Sequence, residues 1–368
     1  MISILLYSFI VVVAVQIFYY SYVFGKFSFA KPNESKVKRI GISIIVCAKN
    51  EEENVRNLIP KLLEQDYPEF EIVLIDDASS DSTLDIFEEF EKLSDKIKLV
   101  KVQNNETFWG NKKFALTLGI KAAKFDYLLF TDADCLPNTI NWVKEISSNF
   151  TSQKTIVLGY GGYEKIKNSF LNKMIRFDTT LIAIQYFSWA KLGKPYMGIG
   201  RNLAYHKSEF FQNNGFINHM KIKSGDDDLF INEIANKKNT AICYNPESFT
   251  ISKSKLKFKD WKIQKRRHIS TSKLYKKRDK IQLGIYFISQ LLFFLLLIIN
   301  LILKNQIEII LIGLSLRYIS SYIAIVKSSV KLNEKDLILY YPILEISLIL
   351  FQLNVYFTNL TYKTPSWK

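Results

Sequence analysis

The sequence has only three cysteines, Cys47, Cys135 and Cys243, and three histidines, His206, His219 and His268. The cysteines are odd in number and far apart, which excludes a disulfide framework and fits a reducing compartment. Neither set has the spacing of a zinc site. No phosphate-binding glycine loop, Ser-His-Asp order, internal repeat or low-complexity tract stands out. Triad hydrolysis and repeat architectures are thereby set aside.

Negative charge is also in short supply, with 50 Lys/Arg against 35 Asp/Glu and a net charge of +15. The excess is concentrated. Between Ile251 and Lys280 stand 13 Lys/Arg against 2 Asp, or +11 of the total, directly before an apolar run. That placement reads as a juxtamembrane segment attracted to anionic lipid, with no nucleic acid as partner.

Long apolar runs lie at both ends. Ile2–Phe24 is about long enough to span a bilayer,. No basic residue precedes it and no small-residue cleavage signal follows, so it reads as an anchor and not a signal peptide. Ile281–Leu303, Ile307–Val326 and Leu337–Leu360 are three further candidates, interrupted by Glu308, Arg317 and Glu345. Charges in spans are costly, so these three should face protein, water or the interface. An amphipathic helix lying in the interface is the alternative for one of the C-terminal runs. Lys26, Lys31, Lys36, Lys38 and Arg39 follow the first span, and the basic segment precedes the second. Basic flanks on both sides place the central region in the cytoplasm, and the Lys327–Asp336 loop returns to the same side.

The central region alternates strands and helices: strand Ile42–Ala48, helix Glu52–Gln65, strand Glu71–Ile75, helix Ser82–Leu93, strand Ile97–Val102, helix Lys112–Lys124 and strand Tyr127–Thr131. The pattern predicts an α/β fold with an open, mostly parallel sheet flanked by helices, whose ligands bind at the carboxyl ends of the strands. The chain divides into an anchor (1–25), a central domain (40–250), a basic interfacial segment (251–280) and membrane helices (281–360).

Polar residues gather at those strand ends. Asn50 and Glu51 follow the first strand, and Asp76 and Asp77 follow the second. Such loops can hydrogen-bond a base and ribose, although Asp81 or Ser82 also suits the cap of the next helix. Asp132 and Asp134 end the apolar strand at Tyr127–Thr131. At i and i+2 of an extended segment they share a face, and two carboxylates with phosphate oxygens suit Mg²⁺ or Mn²⁺. Asp226, Asp227 and Asp228 crowd three acids before a helical run. Mutual repulsion can raise one pKa enough to make a general base. Gln264, Lys265, Arg266, Arg267 and His268 mix amide, cation and imidazole at helical spacing, a set able to bind a diphosphate,.

Together these elements resemble the family 2 glycosyltransferases of the GT-A fold, in particular the membrane branch containing cellulose, chitin and hyaluronan synthases. The resemblance runs from about Ile42 to His268, with matching spans outside it. It implies that Asn50, Glu51, Asp76 and Asp77 hold the donor nucleotide, with Lys112 and Asp132 at the diphosphate. Asp132 and Asp134 would hold Mg²⁺ or Mn²⁺, and Asp227, beside Asp226, would be the catalytic base. Gln264, Arg267 and His268 would serve the acceptor and leaving diphosphate. The implied reaction is inverting transfer of a sugar, from a UDP-linked donor, to a saccharide or lipid-linked acceptor at the membrane. Two positions depart from the family. Ala78 replaces a glycine, a mild change in a turn that keeps φ negative. His268 replaces a tryptophan, which bears on acceptor and processivity more than on transfer. The residues also admit a metal-dependent nucleotidyl- or phosphotransferase, or a non-catalytic nucleotide- or lipid-binding membrane protein.

Overall fold

A computed structural model describes residues 2–32, 38–103, 112–222 and 224–361; Lys36 of the basic flank lies outside them. Among the described residues are ten strands: β1 (Ile42–Ala48), β2 (Phe70–Asp76), β3 (Ile97–Lys101), β4 (Tyr127–Asp132), β5 (Cys135–Pro137), β6 (Ile156–Leu158), β7 (Gly161–Tyr163), β8 (Leu203–His206), β9 (Thr240–Ile242) and β10 (Thr250–Ser252). Seven form one sheet in the order β3-β2-β1-β4-β8-β6-β9. β8 is antiparallel to both neighbours and every other pairing is parallel.

β1 is the continuous Ile-Ser-Ile-Ile-Val run, buried on both faces between β2 and β4. Such a strand reads as a near-continuous apolar run, so its limits match the pattern in the sequence; the exception, Ser43, is buried with its hydroxyl donating to Glu71,. Helix Glu52–Leu63 packs Val55, Leu58, Ile59 and Leu62 on one face of the sheet, and helix Lys112–Ala122 packs Ala115, Leu116 and Ile120 on the other. The register sets the site. Ala48 pairs with Asp76 and Cys47 with Asp132, so the three central strands present their carboxyl ends at one level.

A second sheet of three strands, β5-β10-β7, stands beside this edge. Each of its strands has three residues, too few for alternation to register in the sequence,. β5 begins directly after Asp134 and pairs with β10, which leads into the basic segment. That pairing carries the chain from the paired acids toward Arg267.

Among the described residues, four helices are long and apolar enough to cross a membrane: Ser3–Ser28, Lys277–Ile302, Ile307–Lys331 and Lys335–Thr361. The first three interlock through Phe9, Val13, Phe293 and Ile310. Two charges buried deep in this region, Arg317 and Glu345, pair with each other. Both Arg317 nitrogens NH1 and NH2 donate to Glu345, and Gln16, Tyr20 and Tyr341 complete the cluster. Glu308 sits exposed in the first turn of its helix, where an acid suits the dipole,.

The loop between the last two spans lies against the central domain. Arg176 grips Glu334 and Asp336, and Lys165 Nζ is 2.9 Å from Asp336. Lys331 Nζ donates to the carbonyls of Phe27 (2.8 Å) and Ala30 (2.5 Å) at the inner end of the first span. These contacts put that loop on the same side as the central domain, as its lysines predict.

Candidate active site

The loops after β1 and β2 are bound to each other. Asn50, at φ +56°, accepts from Ser80 N at 2.8 Å through Oδ1, and its own N donates to Ser79 Oγ. Glu51 N donates to Thr83 Oγ1 at 2.9 Å, and Glu52 and Asp81 cross-link the two loops through backbone amides. Asp76 is buried and accepts from Ser79 N, closing a tight turn. The turn departs from expectation at Ala78, which has φ +52°. Alanine here meets the steric penalty that the family's glycine escapes, about 1–2 kcal/mol. Asp77 is buried beside it. Burial, then Asp76, raise its pKa against the opposing pull of Lys49.

At the end of β4 the Lys112 ammonium lies 2.8 Å from Asp132 and 3.2 Å from Asp226. Burial alone would raise the Asp132 carboxyl; Lys112, with Arg201 and Arg267 behind it, outweighs that and holds it below the usual range. Lys112 is likewise penalised by burial and recovered by the two acids, so it stays charged. Asp132, Asp134 and Cys135 offer ligand atoms within 4.8 Å of one another. The thiol does not suit a hard cation: it is buried, its pKa is raised, and it lies 2.8 Å from Ser252 Oγ,. The carboxylates do suit one. Asp134 is exposed and Asp132 half-buried, and both face the cleft where phosphate oxygens would complete an oxygen shell,.

The three neighbouring acids have three different environments. Asp226 pairs with Lys112. Asp227 accepts from Gly200 N at 2.6 Å and from Asp228 N at 2.7 Å. Burial, then Asp226 and Asp228, push its pKa up to about 7 despite those two bonds. Asp228 is buried beneath the cleft and accepts from Thr271 Oγ1 and, at 2.7 Å, from Tyr275 Oη. It is a structural buckle between the acid loop and the basic helix Phe258–Ser272.

That helix divides its cations by direction, as a 100° turn per residue requires. Lys265 pairs at 2.6 Å with buried Asp178, and Arg266 Nε donates to Asn359 at 2.8 Å. Arg267 faces Asp132, Asp226 and Asp227, although burial lowers its pKa. Gln264, Arg267 and His268, at i, i+3 and i+4, share one side of the helix,. His268 opens to the cleft. Withdrawal from bulk water, then Lys265, Arg267 and Arg201, lower its pKa, so the ring is neutral at pH 7.

Two further residues contribute. Arg201, just before β8, lies near Asp132 and Asp134, where it holds the carbonyl of Gly161 at 3.0 Å and covers the Tyr163 ring. Lys113 is buried and donates to the carbonyls of His219, Ile222 and Ser224 at 2.7–2.8 Å, anchoring the loop that delivers Asp226 and Asp227. Nothing local distinguishes Lys113 from an exposed lysine, because its partners lie more than 100 residues away.

Residues 43–221 match the family described as Glycosyl transferase family 2. With the mixed sheet and the acids at its strand ends, this makes the catalytic region a family 2 glycosyltransferase domain of the GT-A fold. Among curated proteins, the poly-beta-1,6-N-acetyl-D-glucosamine synthase of Staphylococcus epidermidis is 37% identical over 111 residues, covering 30% of this chain and 25% of the synthase. The 4,4'-diaponeurosporenoate glycosyltransferase of Staphylococcus haemolyticus is 32% identical over 127 residues, 34% of this chain and 32% of that enzyme. The chain thus spans a quarter to a third of the length of these relatives. Among solved structures, the mannosyltransferase of Pyrobaculum calidifontis in complex with GDP-Man and Mn²⁺ has the same fold. It aligns over 90% of this chain and 99% of its own, at TM-score 0.59 and 15% identity.

Proposed function

We propose that the protein transfers a sugar, with inversion, from a nucleoside-diphosphate donor to a membrane-associated saccharide or lipid-linked acceptor on the cytoplasmic side. The observation that carries this reading is the convergence of Asp132, Asp134, Lys112, Asp227 and Arg267 on one cleft, with Asp227 shifted to about 7. Asp76 and Asp77, with Asn50 and Glu51 setting their loops, bind the nucleoside. Lys112 leaves its two carboxylate partners in part to meet the diphosphate. Asp132 and Asp134 are the residues that would hold Mg²⁺ or Mn²⁺, which supplies charge neutralisation at the leaving diphosphate. Asp227, ionised, takes the proton of an acceptor hydroxyl as the oxygen attacks the anomeric carbon. Arg267 faces the charge that grows on the departing diphosphate, with Gln264 and His268 beside it toward the acceptor. Arg267 stands on the helix that runs into the second span, so the acceptor approaches from the membrane. The poly-beta-1,6-N-acetyl-D-glucosamine synthase and the 4,4'-diaponeurosporenoate glycosyltransferase among the relatives support such an acceptor, and a UDP-linked donor is the form we favour.

The full chain in detergent should hydrolyse one donor from a panel of UDP-glucose, UDP-N-acetylglucosamine and GDP-mannose in the presence of Mn²⁺ or Mg²⁺. Hydrolysis of none, by protein that retains cooperative unfolding, would remove the reading.

Orientation has its own test. A cysteine placed at exposed Glu89 should resist a membrane-impermeant maleimide in intact cells and react after lysis. Labelling in intact cells would put the domain outside, away from nucleotide sugars.

A further inference from the structure

A groove runs between helix Phe170–Lys191, the basic helix and the last span, away from the acids of the cleft. Its volume is about 490 Å³, a size that accommodates a ligand,. The floor is fixed before any occupant arrives: Trp261 stacks on Phe351 with centroids 3.8 Å apart and planes 2° from parallel. Its walls are apolar and exposed, with Leu350 at 62%, Phe258 at 48% and Phe170 at 44%.

At its mouth stand Lys259 and Lys262. Three residues apart, they lie on one side of the helix, while Asp260 between them does not line the groove,. Among the described residues neither ammonium pairs with a carboxylate, in contrast to Lys265 on the same helix. Two cations over an apolar trough require an occupant with an anionic head and a hydrocarbon body. The trough abuts a helix long and apolar enough to cross a membrane, where such molecules are the solvent,.

We propose that this groove binds one anionic phospholipid, its phosphate between Lys259 and Lys262 and one acyl chain laid along Phe170, Leu350 and Phe351. The site is separate from the sugar-transfer cleft and does not depend on that reading. It also differs from diffuse attraction to the 13 cations of the basic segment, which needs no groove.

Native mass spectrometry of the full chain, with phosphatidylglycerol or phosphatidylcholine added in detergent, reads the site directly. One phosphatidylglycerol should stay bound at activation energies that strip phosphatidylcholine. Replacing both lysines, Lys259→Gln with Lys262→Gln, should cut its retention by about tenfold or more. Ser347→Phe, which fills the groove without changing charge, should do the same. Lys273→Gln with Lys280→Gln removes the same charge outside the groove and should leave the lipid in place. Inorganic phosphate should not displace it. Equal retention of the zwitterionic lipid, equal loss in the outside pair, full binding in the filled groove, or displacement by phosphate would each overturn the proposal.

Discussion

Asp227→Asn should lower turnover by about 10²–10⁴ while leaving donor affinity unchanged. The amide keeps the shape and one of the two accepting oxygens but cannot take a proton, and its NH2 group stands where either Gly200 N or Asp228 N now donates. In the parent, turnover should rise with pH through about 7, because the base must be ionised and its pKa sits there,. The variant should lose that limb. Stability should move the opposite way. A carboxyl whose pKa is higher folded than unfolded binds its proton more tightly in the folded state. It therefore costs stability progressively as pH rises from the ordinary carboxylate range to about 7,. At about pH 8 that cost is fully present and near about pH 4 it is absent, so the melting temperature of Asp227→Asn relative to the parent should be higher at about pH 8 than at about pH 4,. Steady-state kinetics and thermal unfolding across that range check both halves. Asp228→Asn retains an oxygen for Thr271 and Tyr275 and should cost far less turnover. Arg267→Ala should reduce turnover by about 10²–10³ without moving the pH limb. If Asp227→Asn keeps full transfer while Asp226→Asn abolishes it, the base lies one residue earlier than assigned.

Chelation should stop donor hydrolysis, and Mn²⁺ or Mg²⁺ should restore it. Asp134 is exposed at the turn into β5, with no ammonium partner among the described residues. Asp132, by contrast, is already neutralised by Lys112. Asp134→Ala therefore removes a ligand while sparing the ion pair that holds the cleft together. It should reduce metal-stimulated hydrolysis on the order of 10²-fold or more, since charge neutralisation of a leaving diphosphate is worth several kcal/mol. Calorimetric binding of Mn²⁺ in the presence of nucleoside diphosphate provides a reading independent of turnover and should weaken in parallel. Asp132→Ala should do both and also lower the melting temperature, because it leaves the half-buried Lys112 ammonium with Asp226 as its remaining carboxylate partner,. Hydrolysis that resists chelator in parent and variant alike would end the metal assignment.

The amino-acid sequence by itself determined the elements whose pattern is local. β1 was legible to the residue, because a strand buried on both faces reads as a near-continuous apolar run, interrupted here by Ser43,. The apolar helices were legible from length, and Asp132 from its place at the end of an apolar strand; Asp134 lies past that strand, in the turn into β5, and not on an extended segment. Only the tertiary structure decided what near-identical neighbours do. Asp226, Asp227 and Asp228 differ through Lys112, Gly200 and Tyr275, which lie 27 or more residues from them in sequence. Lys265, Arg266 and Arg267 part in the same way toward Asp178, Asn359 and the acids. Nor could the sequence settle the turn at Ala78, whose left-handed backbone is imposed by the bonds between two loops. Chain periodicity reports which face a residue takes. Its pKa and its partner depend on burial and on charges brought close by folding, and no local pattern encodes those.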